Sequence, residues 1–119
     1  MPINLSSYNK YGNKKITIDN ITFDSKKEAG RYANLKLLLR AGKIRDLQIQ
    51  PEFVILPPFT DVYGKKHAGV KYIADFSYWE IDNPGPCIVE DVKGALTDVY
   101  KLKLKFFLHQ YPHFIFREI

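Results

Sequence analysis

Tyr72-Ile73-Ala74-Asp75-Phe76 and Val89-Glu90-Asp91-Val92-Lys93-Gly94 are the two stretches on which the reading of this chain turns. Each is a run of β-forming residues with carboxylates in its middle. A strand buried on both faces admits carboxylates poorly unless a cation neutralises them, and the cation expected here is a metal. Side chains alternate along a strand, so Asp91 and Lys93 share one face while Val92 points to the other, which selects Asp91 over Glu90. Glu90 is expected to face solvent or pair with a lysine. Between the runs, Asp82-Asn83-Pro84-Gly85-Pro86 is a short turn rich in breakers, which predicts that strands at 70–80 and 87–93 are antiparallel neighbours. Asp75 then joins Asp91 and Lys93, giving two carboxylates and an ammonium around one point. That is a minimal divalent-metal hydrolytic centre.

Working outward, Lys15-Ile16-Thr17-Ile18 and Ile21-Thr22-Phe23 flank Asp19-Asn20 as a β-hairpin with a tight turn. Ser25-Lys26-Lys27-Glu28 has the pattern of a capping box and opens an amphipathic helix that ends at Gly42. Ala29, Tyr32, Ala33, Leu35, Leu38 and Leu39 form its apolar stripe, and Lys36, Arg40 and Lys43 gather toward its C-terminal end. Gly30, in the early turns, hints at a close approach to the backbone. Ile44 to Ile49 and Glu52 to Leu56 read as a strand broken or bent at Pro51. Phe59 to Gly69 reads as a flexible basic loop carrying Gly64, Lys65, Lys66 and His67, and Tyr72 to Glu80 as one strand. Thr97 to Tyr111 alternates like a strand in part, but its length and the Thr97-Asp98 cap favour a helix with Val99, Leu102, Leu104, Phe106, Phe107, Leu108 and Tyr111 as its apolar positions. After Pro112, residues 113–119 close the chain as an apolar strand. Hairpin, helix, three strands, helix, strand is the order of an α/β fold with helices flanking a mixed β-sheet.

With 119 residues, 45% of them hydrophobic and 14% aromatic, the chain suits one compact domain, assigned to residues 15–119. Residues 1–14 mix Ser, Asn, Gly and Lys without apolar periodicity and read as a flexible basic arm. Eighteen Lys and Arg against 13 Asp and Glu leave a net charge of +5, which favours a polyanionic partner such as nucleic acid. Cys87, the single cysteine, excludes an internal disulfide framework and a cysteine-rich zinc site. His67, His109 and His113 are too far apart in sequence to suggest a metal cluster. With no run of about twenty apolar residues and no signal-peptide pattern, a cytoplasmic protein without a membrane partner is expected.

A glutamate early in the first helix, an Asp in one strand and an acid-x-Lys in the next resembles the PD-(D/E)XK nuclease superfamily. The pattern falls on Glu28, Asp75 and Asp91-Val92-Lys93, and the order of elements agrees from about Ile21 to Ile119. Ala74 stands where the superfamily's name would put proline. More narrowly, the Lys10-Tyr11-Gly12-Asn13-Lys14 start and the Glu90-to-Gly94 signature resemble a family of small phage- and prophage-encoded proteins of uncharacterised function. The chain is also similar to Holliday junction resolvases and to TnsA-type transposase endonucleases.

The resemblance implies a restriction-endonuclease-like core and a Mg²⁺-dependent endodeoxyribonuclease, with Mn²⁺ able to substitute. Asp75, Asp91 and the backbone carbonyl of Val92 would hold the metal, Glu28 would contact it directly or through water, and Lys93 would orient the attacking water. The products would carry a 5′-phosphate and a 3′-hydroxyl. Branched DNA formed in phage recombination or replication inside a bacterial host is the implied substrate, cut by a homodimer because one small domain cuts one strand. Lys65, Lys66, Lys101 and Lys105 are candidate phosphate contacts, and no small-molecule substrate is expected. Two alternatives stand beside this: Glu28 as only the capping partner of Ser25, and a non-catalytic nucleic-acid- or protein-binding module that kept the fold.

Overall fold

The computed structural model describes residues 15–92 and 96–119, so the N-terminal arm and Lys93 lie outside the described residues. Strands β1 (Ile16–Ile18) and β2 (Ile21–Phe23) form the expected hairpin. Asp19 and Asn20 take φ of 53° and 63°, the left-handed pair that a two-residue turn between right-twisted strands needs. Helix α1 (Lys26–Arg40) begins where Ser25 Oγ accepts the Glu28 N–H at 3.1 Å. It ends in a Schellman motif: Gly42, at φ 72°, donates to Leu39 O at 3.1 Å and Lys43 donates to Leu38 O at 2.9 Å. The Tyr32 hydroxyl donates to Asp19 Oδ2 at 2.6 Å and ties helix to hairpin.

The central sheet is mixed, in the order β10 (Ile115–Glu118), β9 (Ile88–Asp91), β8 (Phe76–Glu80), β3 (Ile44–Ile49). Strand β10 runs parallel to β9, and the other pairs are antiparallel. One face packs on α1 and the hairpin through Phe23, Tyr32, Leu35, Phe76, Tyr78, Ile88 and Val92. The other packs through Val89 on helix α2 (Asp98–Gln110) and on the two-stranded ribbon of β4 (Glu52–Leu56) and β7 (Val70–Ile73). There Phe53 lies 4.8 Å from Phe107 and 5.7 Å from Phe114, an aromatic cluster at edge-on or tilted angles.

The stretch read as one strand from Tyr72 to Glu80 is two. Tyr72 and Ala74 face the α2 layer, whereas Phe76 and Tyr78 face the α1 layer, so the alternation breaks at Asp75. The same break falls opposite, between Ile49 and Phe53, as Pro51 foretold. Gln50, at φ 52°, donates to Asp75 O at 2.9 Å, and Ala74 donates to Pro51 O at 3.1 Å, so backbone bonding bridges the break with proline only accepting.

Three further expectations are corrected. Phe59 to Gly69 is a small hairpin, β5 (Phe59–Thr60) against β6 (Lys66–His67), rather than an open loop. Tyr100, Leu104, Phe107 and Tyr111 turn inward on α2, while Val99, Leu102, Phe106 and Leu108 stay exposed; Val99, Leu102 and Phe106 line a cavity of about 320 Å³ with Ile55, Leu56 and Val70. The flanking ribbon covers only part of the helix, so the apolar face is wider than what it buries. On α1, Ala33 and Leu38 are likewise exposed.

Gly30 has open space around it, so no close approach explains it, whereas a Cβ on Gly69 would meet Leu56 O at 2.7 Å. Opposite effects follow. Gly30→Ala should stabilise by up to about 1 kcal/mol through helix propensity, and Gly69→Ala should destabilise by about 1–3 kcal/mol because backbone must move. Urea unfolding of the two variants measures both signs.

Candidate functional site

Strand β9 carries two adjacent carboxylates, and alternation sends them into different layers. Glu90, 0% exposed, points into the α1 layer. Arg31 grips it with Nε to Oε1 at 2.7 Å and Nη2 to Oε2 at 2.5 Å, and the Tyr78 hydroxyl donates to the same Oε2. Glu90 therefore faces neither solvent nor a lysine; its partner is an arginine from α1, one helical turn beyond Glu28. The planar guanidinium matches the carboxylate at two points, which suits burial better than a point charge. Glu90 raises the Arg31 pKa, while burial and then Glu90 push Tyr78 up to about 12.

Asp91 points into the α2 layer. It is buried, and the Tyr72 hydroxyl donates to its Oδ2. Asp75 reaches it from the break between β7 and β8. The Asp75 backbone is held on both sides, its N–H donating to Glu90 O at 3.0 Å and its carbonyl accepting from Gln50. Its Oδ2 accepts the Val92 N–H at 2.5 Å. Burial, a hydrogen bond shared with Asp91 and the charges of Glu28 and Asp91 raise Asp75 to about 8, against the one lowering contribution of the Val92 N–H. Burial thus favours the neutral form of Asp75, which is lodged against a second carboxylate with Glu28 in electrostatic reach.

The structure brings Asp75, Asp91 and Val92 together and sets Glu28 close enough for its charge to act on Asp75. Lys93, next in the chain, lies outside the described residues. Among the described residues no group of three or more His, Cys, Asp or Glu is arranged to hold a metal ion; two carboxylates converge and a third is nearby. Lys65 and Lys66 sit far from the carboxylates, beyond the opposite end of the β4–β7 ribbon, and Lys101 and Lys105 are exposed on α2. His67 belongs to the small hairpin, where Nε2 lies 2.8 Å from Asp61 Oδ2.

Over residues 8–118 the chain matches the family described as a protein of unknown function, DUF1064. It belongs to that family. No curated protein and no solved structure matches it. In this DUF1064 chain, Arg31, Tyr72, Tyr78 and Tyr100 are the contributors that pattern reading missed. Burial and the Asp91 carboxylate raise the pKa of both Tyr72 and Tyr100, so two phenols stay protonated around that acid. Tyr72 was hidden by the layer change, since unbroken alternation puts it on the face opposite Asp75, and Arg31 was hidden because its partner is 59 residues away.

Two outcomes follow. Arg31→Met leaves a buried charge unpaired and should cost about 3–5 kcal/mol, whereas Arg31→Met with Glu90→Leu should regain most of it; denaturant midpoints decide. For Asp75, a folded pKa of about 8 lies above the unfolded carboxylate value. Its contribution to stability is then fully present below about pH 4 and is lost as the pH rises through about 8. In chelator-treated buffer the parent should lose thermal stability across that window, and Asp75→Asn, which keeps the Val92 contact without a titrating group, should show a flatter profile.

Proposed function

We propose that the chain is a divalent-metal-dependent endodeoxyribonuclease of the PD-(D/E)XK type. The observation that carries this reading is the convergence of Asp75 and Asp91 inside the fold, where Asp75 Oδ2 accepts the Val92 N–H and burial, with the neighbouring carboxylates, raises the Asp75 pKa. A divalent cation bound there would favour the ionised form of both. The donors are hard oxygens and few. Mg²⁺ is ordinarily held by one or two carboxylates, with waters and substrate phosphate oxygens completing the octahedron. Asp75, Asp91 and the Val92 carbonyl would hold it, with Glu28 alongside. When bound, such an ion polarises a phosphodiester and makes a coordinated water more acidic.

The chain's own residues prepare that place. The Tyr72 hydroxyl orients Asp91, and the Val92 N–H orients Asp75. Arg31 removes the Glu90 charge from the neighbourhood by pairing with it on the opposite face. Lys93, outside the described residues, would on this reading hold or accept a proton of the attacking water. The order of α1, an antiparallel strand set, α2 and a parallel strand supports a restriction-endonuclease-like core. The net charge of +5 suits a DNA substrate. Branched DNA in phage recombination or replication, cut by a homodimer, is the setting this reading favours.

Supercoiled plasmid and a four-way junction, each incubated with Mg²⁺, test it. The parent should cleave, and Asp91→Ala and Asp75→Asn should lose about 1,000-fold or more, the several kcal/mol a metal contributes to the transition state. Mg²⁺ should also raise the parent's melting temperature and leave that of Asp75→Asn unchanged. Undiminished cutting by Asp91→Ala would overturn the site assignment; DNA binding with neither cleavage nor Mg²⁺ stabilisation would make the chain a non-catalytic binding module.

A further inference from the structure

Val62 and Tyr63 stand at the tip of the β5–β6 hairpin, 91% and 92% exposed. No other large apolar side chain among the described residues exceeds 64%. Hairpin tips are ordinarily polar and mobile. This one is apolar and braced. Asp61 Oδ1 accepts the backbone N–H groups of Tyr63 at 2.9 Å and Lys65 at 3.0 Å, and Oδ2 bonds His67 Nε2. Asp61 N donates to Lys65 O at 2.9 Å, Gly64 N donates to Asp61 O at 3.0 Å, and Gly64 supplies the left-handed position at φ 80°. The His67 ring stacks on Phe59 with centroids 4.7 Å apart. The base is held as tightly, since Gly69 packs against Leu56 O and Pro58.

The only acid in the turn is spent on these internal bonds, which hold its carboxylate below the usual range. Lys65 and Lys66 are exposed and form no ion pair among the described residues. A rigid tip that shows an aromatic ring and a branched aliphatic side chain between ammonium groups has the chemistry of a nucleic-acid contact: a π-face for a base, cations for the phosphates either side.

We propose that the β5–β6 hairpin is a base-stacking finger: Tyr63 stacks on an unpaired base of a DNA strand, Val62 packs beside it, and Lys65 and Lys66 hold the flanking phosphates. The proposal rests on the nuclease reading and narrows its substrate to DNA with an unpaired or splayed base. From Asp75 back to Tyr63 the chain advances twelve residues. At about 3.3 Å per residue this is at most about 40 Å, or about twelve base pairs at about 3.4 Å each, and the unpaired base should lie within that distance of the cut.

Binding of the full chain in chelator, followed by fluorescence anisotropy, is compared on an intact duplex and on the same duplex with one unpaired 2-aminopurine. The parent should prefer the second about tenfold, as one base–aromatic stack supports, and should quench the 2-aminopurine. Tyr63→Ala should lose preference and quenching, bind the intact duplex as before, and melt like the parent because the side chain is exposed. Tyr63→Phe should keep both signals. Replacing Lys65 and Lys66 together with Ala should weaken both DNAs alike and reduce the salt slope by about two. An unchanged preference in Tyr63→Ala, or a parent that binds duplex without preference, overturns the finger and leaves the nuclease reading standing. A parent that binds no DNA overturns both. Loss of self-association in Tyr63→Ala, with DNA preference intact, assigns the tip to a second copy of the chain instead.

Discussion

One antiparallel ribbon changes layers in mid-course, and the rest of the architecture follows from that crossing. Strands β3 and β8 lie in the central sheet, and their continuations β4 and β7 lie against α2. The crossing falls at Gln50-Pro51 on one side and Ala74-Asp75 on the other. Proline cannot donate to a ladder, and Gln50 takes a left-handed conformation, so the pleat cannot run through regularly. Asp75 is the residue at which alternation fails. Continued from β7, alternation would turn its side chain to the layer of Glu90; continued back from β8, whose Phe76 pairs with Glu90, it lies opposite Asp91, where it also meets the Val92 N–H. Backbone bonds to both neighbouring strands hold it there.

The two carboxylates of β9 receive opposite treatment. Glu90 is neutralised inside the protein by a two-point arginine contact and a tyrosine hydroxyl. A buried ion pair of this kind is weak evidence for stability in itself, because desolvation offsets much of the attraction. Its value here is geometric. Arg31 comes from the helix that carries Glu28, so the pair fixes α1 against β9 and thereby sets where Glu28 lies relative to Asp75 and Asp91. The Tyr72 hydroxyl donates to Asp91, and beside it burial raises the Asp75 pKa.

At its far end the ribbon continues into a hairpin whose hydrogen bonds are internal and whose apolar tip is not. Val62 and Tyr63 make no contribution to the core. The same strands thus connect the paired carboxylates at the crossing with a basic, aromatic projection at the tip.

Local chemistry settled much of this in advance. The Asp19-Asn20 turn, the Ser25 cap, the Gly42 stop, the Thr97 cap and the antiparallel pairing of residues 76–80 with β9 were all legible, because each depends on conformational preferences of a few neighbouring residues. So was the placement of Glu90 and Asp91 on opposite faces, which needs only strand periodicity. The partner of Glu90, the inward face of α2 and the layer change at Asp75 were decided by tertiary structure. Arg31 meets Glu90 across 59 residues, and no local pattern ranks an arginine above a lysine as that partner. The exposed stripe of Val99, Leu102 and Phe106 has helical spacing as good as the buried one, so only the position of the β4–β7 ribbon selects between them. Alternation itself misleads at Asp75, since a period of two presumes a strand that stays in one sheet.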